Sequence, residues 1–320
     1  MEKHHQAPSE RVAVLVPCYN EEQTIAQVVR DFQRVLPEAE IYVFDNASTD
    51  QTTAAARAAG AQVIYSPHKG KGNVVRHMFS TIEADIYLMV DGDSTYAADS
   101  APLLLEKFRS LHVDMMVGRR RTPVEKLQGA YRPMHQFGNR FVCWLIGKSF
   151  GTDIQDVFSG YRVFGRNFVK SIPLHAKGFE IEIEMTLQAL SKDYRIAEID
   201  VPYGSRPTGS FSKLNTYRDG LLVLKAFASI CRDYRPGLFF GGFALILFLL
   251  SLTFGAYPIS DYLLYQYVYH VPLALLATGV AILGALSLCI ALILETQLRY
   301  HNETHALLRR TPGLEDRHGK

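Results

Sequence analysis

A mostly parallel α/β sheet domain, followed by an amphipathic helix and two transmembrane helices, is the fold class that this sequence predicts. Short apolar runs alternate with amphipathic stretches through the first half of the chain, which is the rhythm of βα units. Two long apolar segments come later, and no Lys or Arg occurs between Pro236 and Leu298. With 320 residues and 48% hydrophobic content, the chain is long enough for both modules.

The strands are predicted at short apolar runs of the first half, at Val12 to Val16, Ile41 to Phe44, Gln62 to Tyr65, Asp85 to Val90 and Asp114 to Val117. After the first run, apolar residues recur on one helical face, at Ile25, Val28, Val29, Phe32 and Leu36. Asn20 with Gln23, and Ser48 with Gln51, have the spacing of capping boxes. Helices are therefore expected to begin just after the first two strands.

The unusual polar clusters of the first half all follow predicted strands. Parallel sheets of this kind collect their ligands at the carboxyl ends of the strands. The clusters expected at that edge are Pro17 to Glu21, Asp45-Asn46, Lys69 to Gly72, Asp91 to Asp93 and Gly118-Arg119.

The triplet Asp91-Gly92-Asp93 is the most informative of these clusters, since it follows an apolar run. In an extended segment, carboxylates two residues apart project to the same side and can bind one hard divalent cation. The alternative is ordinary turn chemistry, in which Asp-Gly-Asp is common. The position after a buried strand favours a site for a metal and a diphosphate.

Gly237 to Ala256 and Val271 to Leu294 approach or exceed the ~20 residues that a helix needs to cross a bilayer. The alternative is a buried hairpin of a soluble protein, which rarely has two such segments in succession. Basic residues flank the pair and are absent between its members, which predicts that both termini are cytoplasmic. These basic residues are Arg232 and Arg235 before the pair, and Arg299, Arg309 and Arg310 after it.

Residues 214–235 have apolar positions at helical spacing, with basic residues off that stripe. Such a helix suits the inner membrane surface, or else packs on the core of the domain. The net charge of +2 and the lack of basic runs with interleaved aromatics predict no nucleic-acid partner. Four cysteines without CxxC spacing are typical of a reduced compartment, and the polar first residues predict no cleavable signal peptide.

Taken in order, the motifs resemble the family 2 inverting glycosyltransferases of GT-A fold, and most closely the dolichyl- and undecaprenyl-phosphate sugar transferases. The matching segments are VPCYNEE, DNASTD, HKGKGN, MVDGDSTY, VGRR, QDVFSGYRVF, GFEIE and RPTGSFSKL, followed by the two apolar segments. The resemblance implies transfer of one sugar from a nucleotide diphosphate sugar to a polyprenyl phosphate at the cytoplasmic membrane face. Relatives assemble, so the resemblance is also compatible with a homo-oligomer.

The resemblance also implies the donor side of the site. The base and ribose would be held by Pro17, Tyr19, Glu21 and Asp45, and Mg²⁺ or Mn²⁺ would be bound to the diphosphate by Asp91 and Asp93. Lys71 lies in a glycine-rich loop suited to anions, or is a solvated loop lysine. Glu21 has the alternative of complementing a helix dipole.

The acceptor side follows from the QDVFSGYR segment by the same resemblance. Asp156 would lie near the attacking oxygen, Arg162 near phosphate, and Ser159 would be a supporting donor, so Asp156, Arg162 and Asp93 are the expected catalytic residues. The alternative is a turn held by an internal Asp-Arg pair. Further expected substrate-binding residues are Arg119, Glu180, Arg206 and Lys213.

Two of these assignments have close neighbours that compete for the role. Arg120 and Arg121 adjoin Arg119, which could itself pair with a surface carboxylate. In a helix, Glu180 and Glu184 share a face and Glu182 does not. Glu180 follows the Gly178-Phe179 turn and is the functional candidate, and the other two are expected to be structural. The departures from the family pattern are Asn46, where a second acidic residue is commoner, and Thr95, where several relatives have Gln.

The predicted organisation is a flexible segment 1–10, a GT-A catalytic domain 11–213, a juxtamembrane helix 214–235, a transmembrane hairpin 236–296 and a cytoplasmic tail 297–320. One alternative function is a processive polysaccharide synthase. Such enzymes share a Gln-x-x-Arg-Trp motif, whereas the only Trp here is Trp144, preceded by Phe141-Val142-Cys143. The other is a catalytically silent, membrane-anchored scaffold that binds nucleotide sugar.

Overall fold

The structure is a computed structural model that describes residues 10–121, 133–204 and 231–310. These residues form two compact units, one comprising the described residues up to 204 and the other residues 231–310. The predicted juxtamembrane helix, apart from its last residues, lies outside the described part of the chain.

The first unit is built on one seven-stranded sheet with the strand order β3-β2-β1-β4-β6-β5-β7. Every strand runs parallel to the others except β6, which pairs antiparallel with both β4 and β5. The strands are β1 Val12–Cys18, β2 Glu40–Asp45, β3 Gln62–Tyr65, β4 Ile86–Met89, β5 Met115–Arg121, β6 Arg162–Gly165 and β7 Ile196–Pro202.

Helices cover both faces of this sheet. They are α1 Ile25–Val35, α2 Thr52–Ala58, α3 Lys71–Thr81, α4 Ala101–Leu111, α5 Pro133–Phe150, α6 Arg166–Ser171 and α7 Ile181–Ser191. One core contains residues of α1, α2 and α4, and the opposite core contains residues of α3, α6 and α7. Along β1, Val14 and Val16 enter the first core whereas Leu15 enters the second, as the alternation of a strand requires.

The five predicted strands are confirmed, and so is the mostly parallel sheet. The antiparallel β6 was not predicted, because Arg162 and the short run after it carry no strand pattern as clear as those of the first half. The antiparallel strand turns the chain around inside the sheet. It brings the segment before Arg162 to the same edge as the carboxyl end of β4.

The predicted capping boxes are wrong. Neither α1 nor α2 has a side-chain cap, and their N-cap residues are Thr24 and Gln51. Instead, Asn20 and Ser48 bind each other's loops: Ser48 Oγ accepts from Asn20 N at 2.9 Å, and Asn20 Oδ1 accepts from Thr49 N at 2.8 Å. The polar residues therefore join the loops after β1 and β2 rather than begin helices.

The second unit is a pair of helices, α8 Pro236–Tyr265 and α9 Val271–Arg310. By length and composition both can cross a membrane, with mean hydropathies of 2.2 and 2.5 over their most apolar windows. Small polar side chains link them, since Ser251 Oγ donates to Ala277 O at 2.8 Å and Ser287 Oγ donates to Phe240 O at 2.9 Å. The second helix continues well past residue 296, where the sequence predicted that the hairpin ends.

Candidate functional site

The Asp91-Gly92-Asp93 triplet lies just beyond β4 in a turn and not in an extended segment. Ser94 has a φ of 60°, and Asp93 Oδ1 accepts hydrogen bonds from Thr95 N at 3.1 Å and Thr95 Oγ1 at 2.6 Å. The extended segment that the sequence predicts is therefore not formed at the triplet, although both carboxylates lie at the expected edge of the sheet. Asp93 is buried, and the Asp91 side chain is 27% exposed.

Lys71 makes the closest charged contacts of Asp91. Its Nζ lies 2.6 Å from Asp91 Oδ1 and 2.5 Å from Glu182 Oε1, so one ammonium joins two carboxylates. Lys71 is the first residue of α3, whereas Glu182 lies in the first turn of α7. The triad of Lys71, Asp91 and Glu182 therefore connects two helices to the end of β4.

Burial and charge oppose each other in this triad. Burial disfavours the charged form of Lys71, but Asp91 and Glu182 overcome this effect and raise the lysine pKa, so that its ammonium persists. Burial raises the pKa of Glu182, and Lys71 opposes that rise. Because the two groups lie in hydrogen-bond contact, we assign the pair as ionised.

Two glycines allow the close approaches around the triad. A Cβ on Gly72 would lie 2.2 Å from Ala176 O, so the start of α3 can contact the loop before α7 only without a side chain. A Cβ on Gly160 would lie 2.5 Å from Asp91 Oδ2. The QDVFSGYR segment therefore packs its backbone directly against Asp91, and the expected donor and acceptor motifs meet there.

The expected base and ribose residues come together in the loops after β1 and β2. Asp45 is buried and accepts from Ser48 N at 3.1 Å and from Thr53 Oγ1 at 3.0 Å. The N–H of Glu21 donates to Thr52 Oγ1 at 2.8 Å. Pro17 and Tyr19 are partly exposed beside them, and Lys69 Nζ lies 5.3 Å from the centre of the Tyr19 ring.

The hydrogen bonds of Asn46 explain why an amide stands where an acidic residue is commoner in the family. Its amide nitrogen donates to Ser66 O at 3.2 Å and to His68 O at 2.7 Å, while its Oδ1 accepts from Gly70 N at 2.7 Å. A carboxylate cannot donate to these two carbonyls. Asn46 therefore fixes the loop that carries Lys69 and Lys71.

Arg120, the neighbour that competes with the expected Arg119, is the arginine that binds Asp156. Its Nε and one terminal nitrogen donate to the two carboxylate oxygens at 2.8 and 2.7 Å, and its backbone N–H donates at 3.0 Å. Asp156 is buried. Arg119 instead pairs with Asp200 and with Gln155, as the alternative interpretation held.

A second carboxylate, Glu198 on β7, holds the backbone that carries Asp156. Its two oxygens accept from Gln155 N at 2.9 Å and from Asp156 N at 3.1 Å. Burial raises the Glu198 pKa, and these two N–H groups oppose the rise. Asp156 is thus fixed through its side chain by Arg120 and through its backbone by Glu198.

Arg162 is fully buried, which differs from the expected position at a phosphate. Its guanidinium donates to Ser159 O at 2.8 Å, Val157 O at 2.7 Å and Thr186 Oγ1 at 2.9 Å. Burial lowers the Arg162 pKa, and the nearby carboxylates Glu182 and Asp156 oppose this effect. The internal Asp-Arg turn of the alternative interpretation is not formed by this pair, because Asp156 binds Arg120.

Ser159 and Tyr96 lock the same segment from the other side. Ser159 Oγ donates to Gly118 O at 2.6 Å, and Tyr96 Oη accepts from Gly160 N at 2.9 Å. Both residues are buried, and burial raises the Tyr96 pKa well above its usual range. Ser159 is therefore positioned to support the loop rather than to face a substrate.

Glu180 is exposed, and its Oε1 accepts from Lys177 N and Gly178 N, both at 3.1 Å. Of the three glutamates, Glu182 is the one that reaches Asp91 through Lys71, whereas Glu184 accepts from His175 N and Ala176 N. The structure therefore connects Glu182 to the triad, and the expected role of Glu180 in substrate binding stays a prediction. The helical spacing already put Glu182 on a face of its own, which is the face that meets α3.

A cleft of about 720 Å³ opens beside Asp156, between the end of β5 and α5. Arg119, Arg120, Arg121, Arg140 and Lys148 line it, together with the exposed ring of Trp144. Within the described part of the chain, neither Arg140 nor Lys148 forms an ion pair. The expected residues Arg206 and Lys213 lie outside the described residues.

Asp91 and Asp93 offer a divalent cation a site with two carboxylates. Among the described residues, no group of three or more His, Cys, Asp or Glu side chains is placed to hold a metal ion. Mg²⁺ commonly takes one or two protein carboxylates and completes its shell with substrate phosphates and water. Asp91, whose side chain is partly exposed and whose Oδ1 contacts Lys71, and the neighbouring Asp93 fit that arrangement.

Comparison with solved structures agrees with the GT-A fold. Glucosyl-3-phosphoglycerate synthase from Mycobacterium tuberculosis, in complex with Mn²⁺ and UDP-glucose, has a TM-score of 0.57 at 20% identity. The match covers 70% of this chain and 78% of that one. At this identity the likeness concerns the fold alone.

Comparison with curated sequences gives closer relatives. "Protein RfbJ" of Shigella flexneri is 53% identical over 125 residues, which are 39% of this chain and 95% of that protein. "Glycosyltransferase AglJ" of Haloferax volcanii is 34% identical over 236 residues, covering 73% of this chain and 77% of that protein. "Dolichyl-phosphate hexose transferase" of the same organism is 26% identical over 225 residues, covering 70% and 95%.

The family model for "Glycosyl transferase family 2" matches residues 13–172, which include Asp91, Asp93, Asp156 and the sheet from β1 to β6. The fold, the motifs at the sheet edge and these relatives agree. This chain belongs to glycosyl transferase family 2 and is a glycosyltransferase of inverting GT-A fold.

Proposed function

We propose that this glycosyltransferase moves one sugar from a nucleotide diphosphate donor to a polyprenyl phosphate at the cytoplasmic face of a membrane. The observation that carries the proposal is the contact between the Asp91 turn and the QDVFSGYR backbone at Gly160. This contact joins an acidic turn suited to a metal and a diphosphate to a cationic cleft beside Asp156. The chain also supplies two apolar helices for a membrane.

The donor side is supported by the residues around Asp45 and Asp91. A nucleotide would extend from the loops after β1 and β2 towards Lys71, whose ammonium suits a diphosphate. Asp91 and Asp93 would hold Mg²⁺ or Mn²⁺, which would neutralise charge on the departing nucleoside diphosphate. A solved structure of the mycobacterial synthase contains Mn²⁺ and UDP-glucose together, which is consistent with this choice of ligands.

The acceptor side is supported by the charge of the cleft. Arg140 and Lys148 make no ion pair with a described carboxylate, so they can pair with an incoming phosphate. Trp144 offers an apolar surface beside them, and the Lys148 ammonium lies 5.4 Å from its ring centre. One relative is named as a dolichyl-phosphate hexose transferase, and we extend that acceptor class to this chain.

The acceptor chemistry needs little proton transfer. A phosphate monoester has a second pKa near ~6, so its oxygen is already largely ionised at neutral pH. Positioning and charge neutralisation would then dominate, and a single displacement at the anomeric carbon gives inversion. Because both oxygens of Asp156 bind Arg120, we assign Asp156 to orienting this arginine at the cleft rather than to acting as a base.

The membrane arrangement remains the one that the basic residues predict, with both termini cytoplasmic and α8 and α9 as transmembrane helices. In that orientation the catalytic unit meets nucleotide sugars in the cytoplasm. Arg206 and Lys213 keep their proposed role near the lipid phosphate. We expect Lys213→Ala to weaken use of lipid phosphate by roughly 1.5 to 3 kcal/mol while changing donor binding little.

The proposal is tested by incubating the purified protein with UDP-, GDP- and dTDP-sugars, polyprenyl phosphate and Mg²⁺ or Mn²⁺. Mass spectrometry of the lipid is expected to find one added sugar on the phosphate. Equal transfer to a soluble hydroxyl acceptor would overturn the lipid-phosphate acceptor. A growing polymer would indicate a processive synthase, and tight donor binding without turnover under every condition would indicate a silent scaffold.

A further inference from the structure

Glu182 is a buried carboxylate that the proposed chemistry does not yet use. Its side chain is 4% exposed, and its Oε1 binds Lys71 at 2.5 Å. Its other oxygen, Oε2, is buried without a hydrogen-bond partner among the described residues. A buried acceptor without a partner costs free energy, so its retention next to Asp91 calls for an explanation.

The contacts of Lys71 explain why Glu182 keeps a buried oxygen without a partner. The same ammonium that binds Glu182 also binds Asp91 Oδ1 at 2.6 Å, which is a position that a divalent cation on Asp91 would contest. A cation and an ammonium cannot both lie against one carboxylate oxygen without strong repulsion. Removing Lys71 from every carboxylate would in turn leave a buried charge without a partner, which is costly.

We propose that Lys71 and the divalent cation compete for Asp91, and that Glu182 is the positioning residue that retains Lys71 when the cation takes Asp91. The free Oε2 gives Glu182 the capacity to accept a second ammonium hydrogen as Lys71 turns away. Lys71 then stays at the start of α3, charged and directed at the diphosphate. This inference rests on the proposed metal role of Asp91.

The test measures binding of Mn²⁺ alone to the full chain by electron paramagnetic resonance titration, with no donor or lipid present. In Glu182→Gln, Lys71 has only Asp91 as a carboxylate partner, so the dissociation constant for Mn²⁺ is expected to rise about tenfold. In the double variant Lys71→Met with Glu182→Gln, the competitor is gone. Its affinity is expected to return to at least that of the unchanged protein.

Rescue by the second substitution separates this role from its rivals. If Glu182 bound the metal directly, or if its loss only distorted the site, the double variant would bind as weakly as Glu182→Gln, and the inference alone would fail. If the unchanged protein did not bind Mn²⁺, both the inference and the proposed metal role would be overturned. Glu106→Gln, on an exposed face of α4, is the matched control and should leave the Mn²⁺ affinity unchanged.

Discussion

Arg120 and Asp156 form a bidentate ion pair at the edge of the cleft, with N–O distances of 2.8 and 2.7 Å. The Arg120 guanidinium also lies 5.5 Å from the ring centre of Tyr203. The pair joins the end of β5 to the QDVFSGYR segment. A planar guanidinium is well suited to such bidentate contact, and an ammonium cannot reproduce it.

Arg120→Lys is therefore expected to lower sugar transfer by roughly ten- to a hundredfold, because one charged hydrogen bond to Asp156 is lost. Steady-state transfer rates at saturating donor measure the effect. Arg109→Lys is the matched control, since Arg109 makes a comparable pair with Glu10 on the exposed surface. If Arg120→Lys transferred sugar as fast as Arg109→Lys, the proposed role of Arg120 in the site would be contradicted.

Asp93→Asn keeps the shape of the side chain and removes its charge. We expect turnover to fall by orders of magnitude while the fold stays intact. The reason is that the metal at the diphosphate would lose one of its carboxylate ligands. Transfer assays with and without EDTA, together with circular dichroism, make the measurement. Asp99→Asn serves as the control because Asp99 pairs with Arg34 at the surface. Activity that survives both Asp93→Asn and EDTA contradicts the metal role.

Arg162→Ala should act on stability before it acts on the acceptor. The change leaves the buried acceptors Ser159 O, Val157 O and Thr186 Oγ1 without their donor, at a cost of about 3 kcal/mol or more. We expect a lower unfolding temperature and a parallel loss of all activity. If the unfolding temperature were unchanged and only the KM for lipid phosphate rose, the result would instead support phosphate binding by Arg162.

The sequence was sufficient for the first half of the fold because β1, β2 and β4 are buried on both faces and so read as continuous apolar runs. The positions of Asp45 and Asp91 at one edge follow from that parallel arrangement, whereas Asp156 reaches the edge through the antiparallel β6, which was not predicted. The capping boxes failed because polar residues such as Asn20 satisfied a neighbouring loop instead of a helix. Spacing alone does not distinguish these two partners.

The pairing of charges could not be predicted, because it depends on tertiary contacts between distant segments. Arg119, Arg120 and Arg121 are equivalent in the sequence, yet strand alternation sends Arg120 to Asp156 and the other two to Asp200. Lys71 and Glu182 are likewise far apart along the chain. A single sequence gives no signal for such a contact, although helical spacing did separate Glu182 from its neighbours.

Glu198 should make stability depend on pH in a defined direction. Burial raises its pKa above the ordinary value of about 4.3, so the folded state retains the proton more strongly than the unfolded state. Its stabilising contribution is full below that ordinary pKa and declines as the pH rises through the raised one. The unfolding temperature of the unchanged protein minus that of Glu198→Gln should therefore fall from about pH 4 towards pH 7. A difference that is independent of pH would mean that burial does not perturb Glu198.

The membrane orientation has a direct chemical test. The connection between α8 and α9 comprises residues 266–270, which is shorter than the loop that the sequence suggested, and Tyr267 within it is 63% exposed. With Cys289 replaced by Ala, Tyr267→Cys should react with a membrane-impermeant maleimide on intact cells, whereas Gly319→Cys should react only after the cells are opened. The reason is that basic residues flank the helices and none lies between them, a pattern that predicts cytoplasmic flanks. The opposite labelling pattern would put the catalytic unit on the side without nucleotide sugars and would contradict the proposed cytoplasmic reaction.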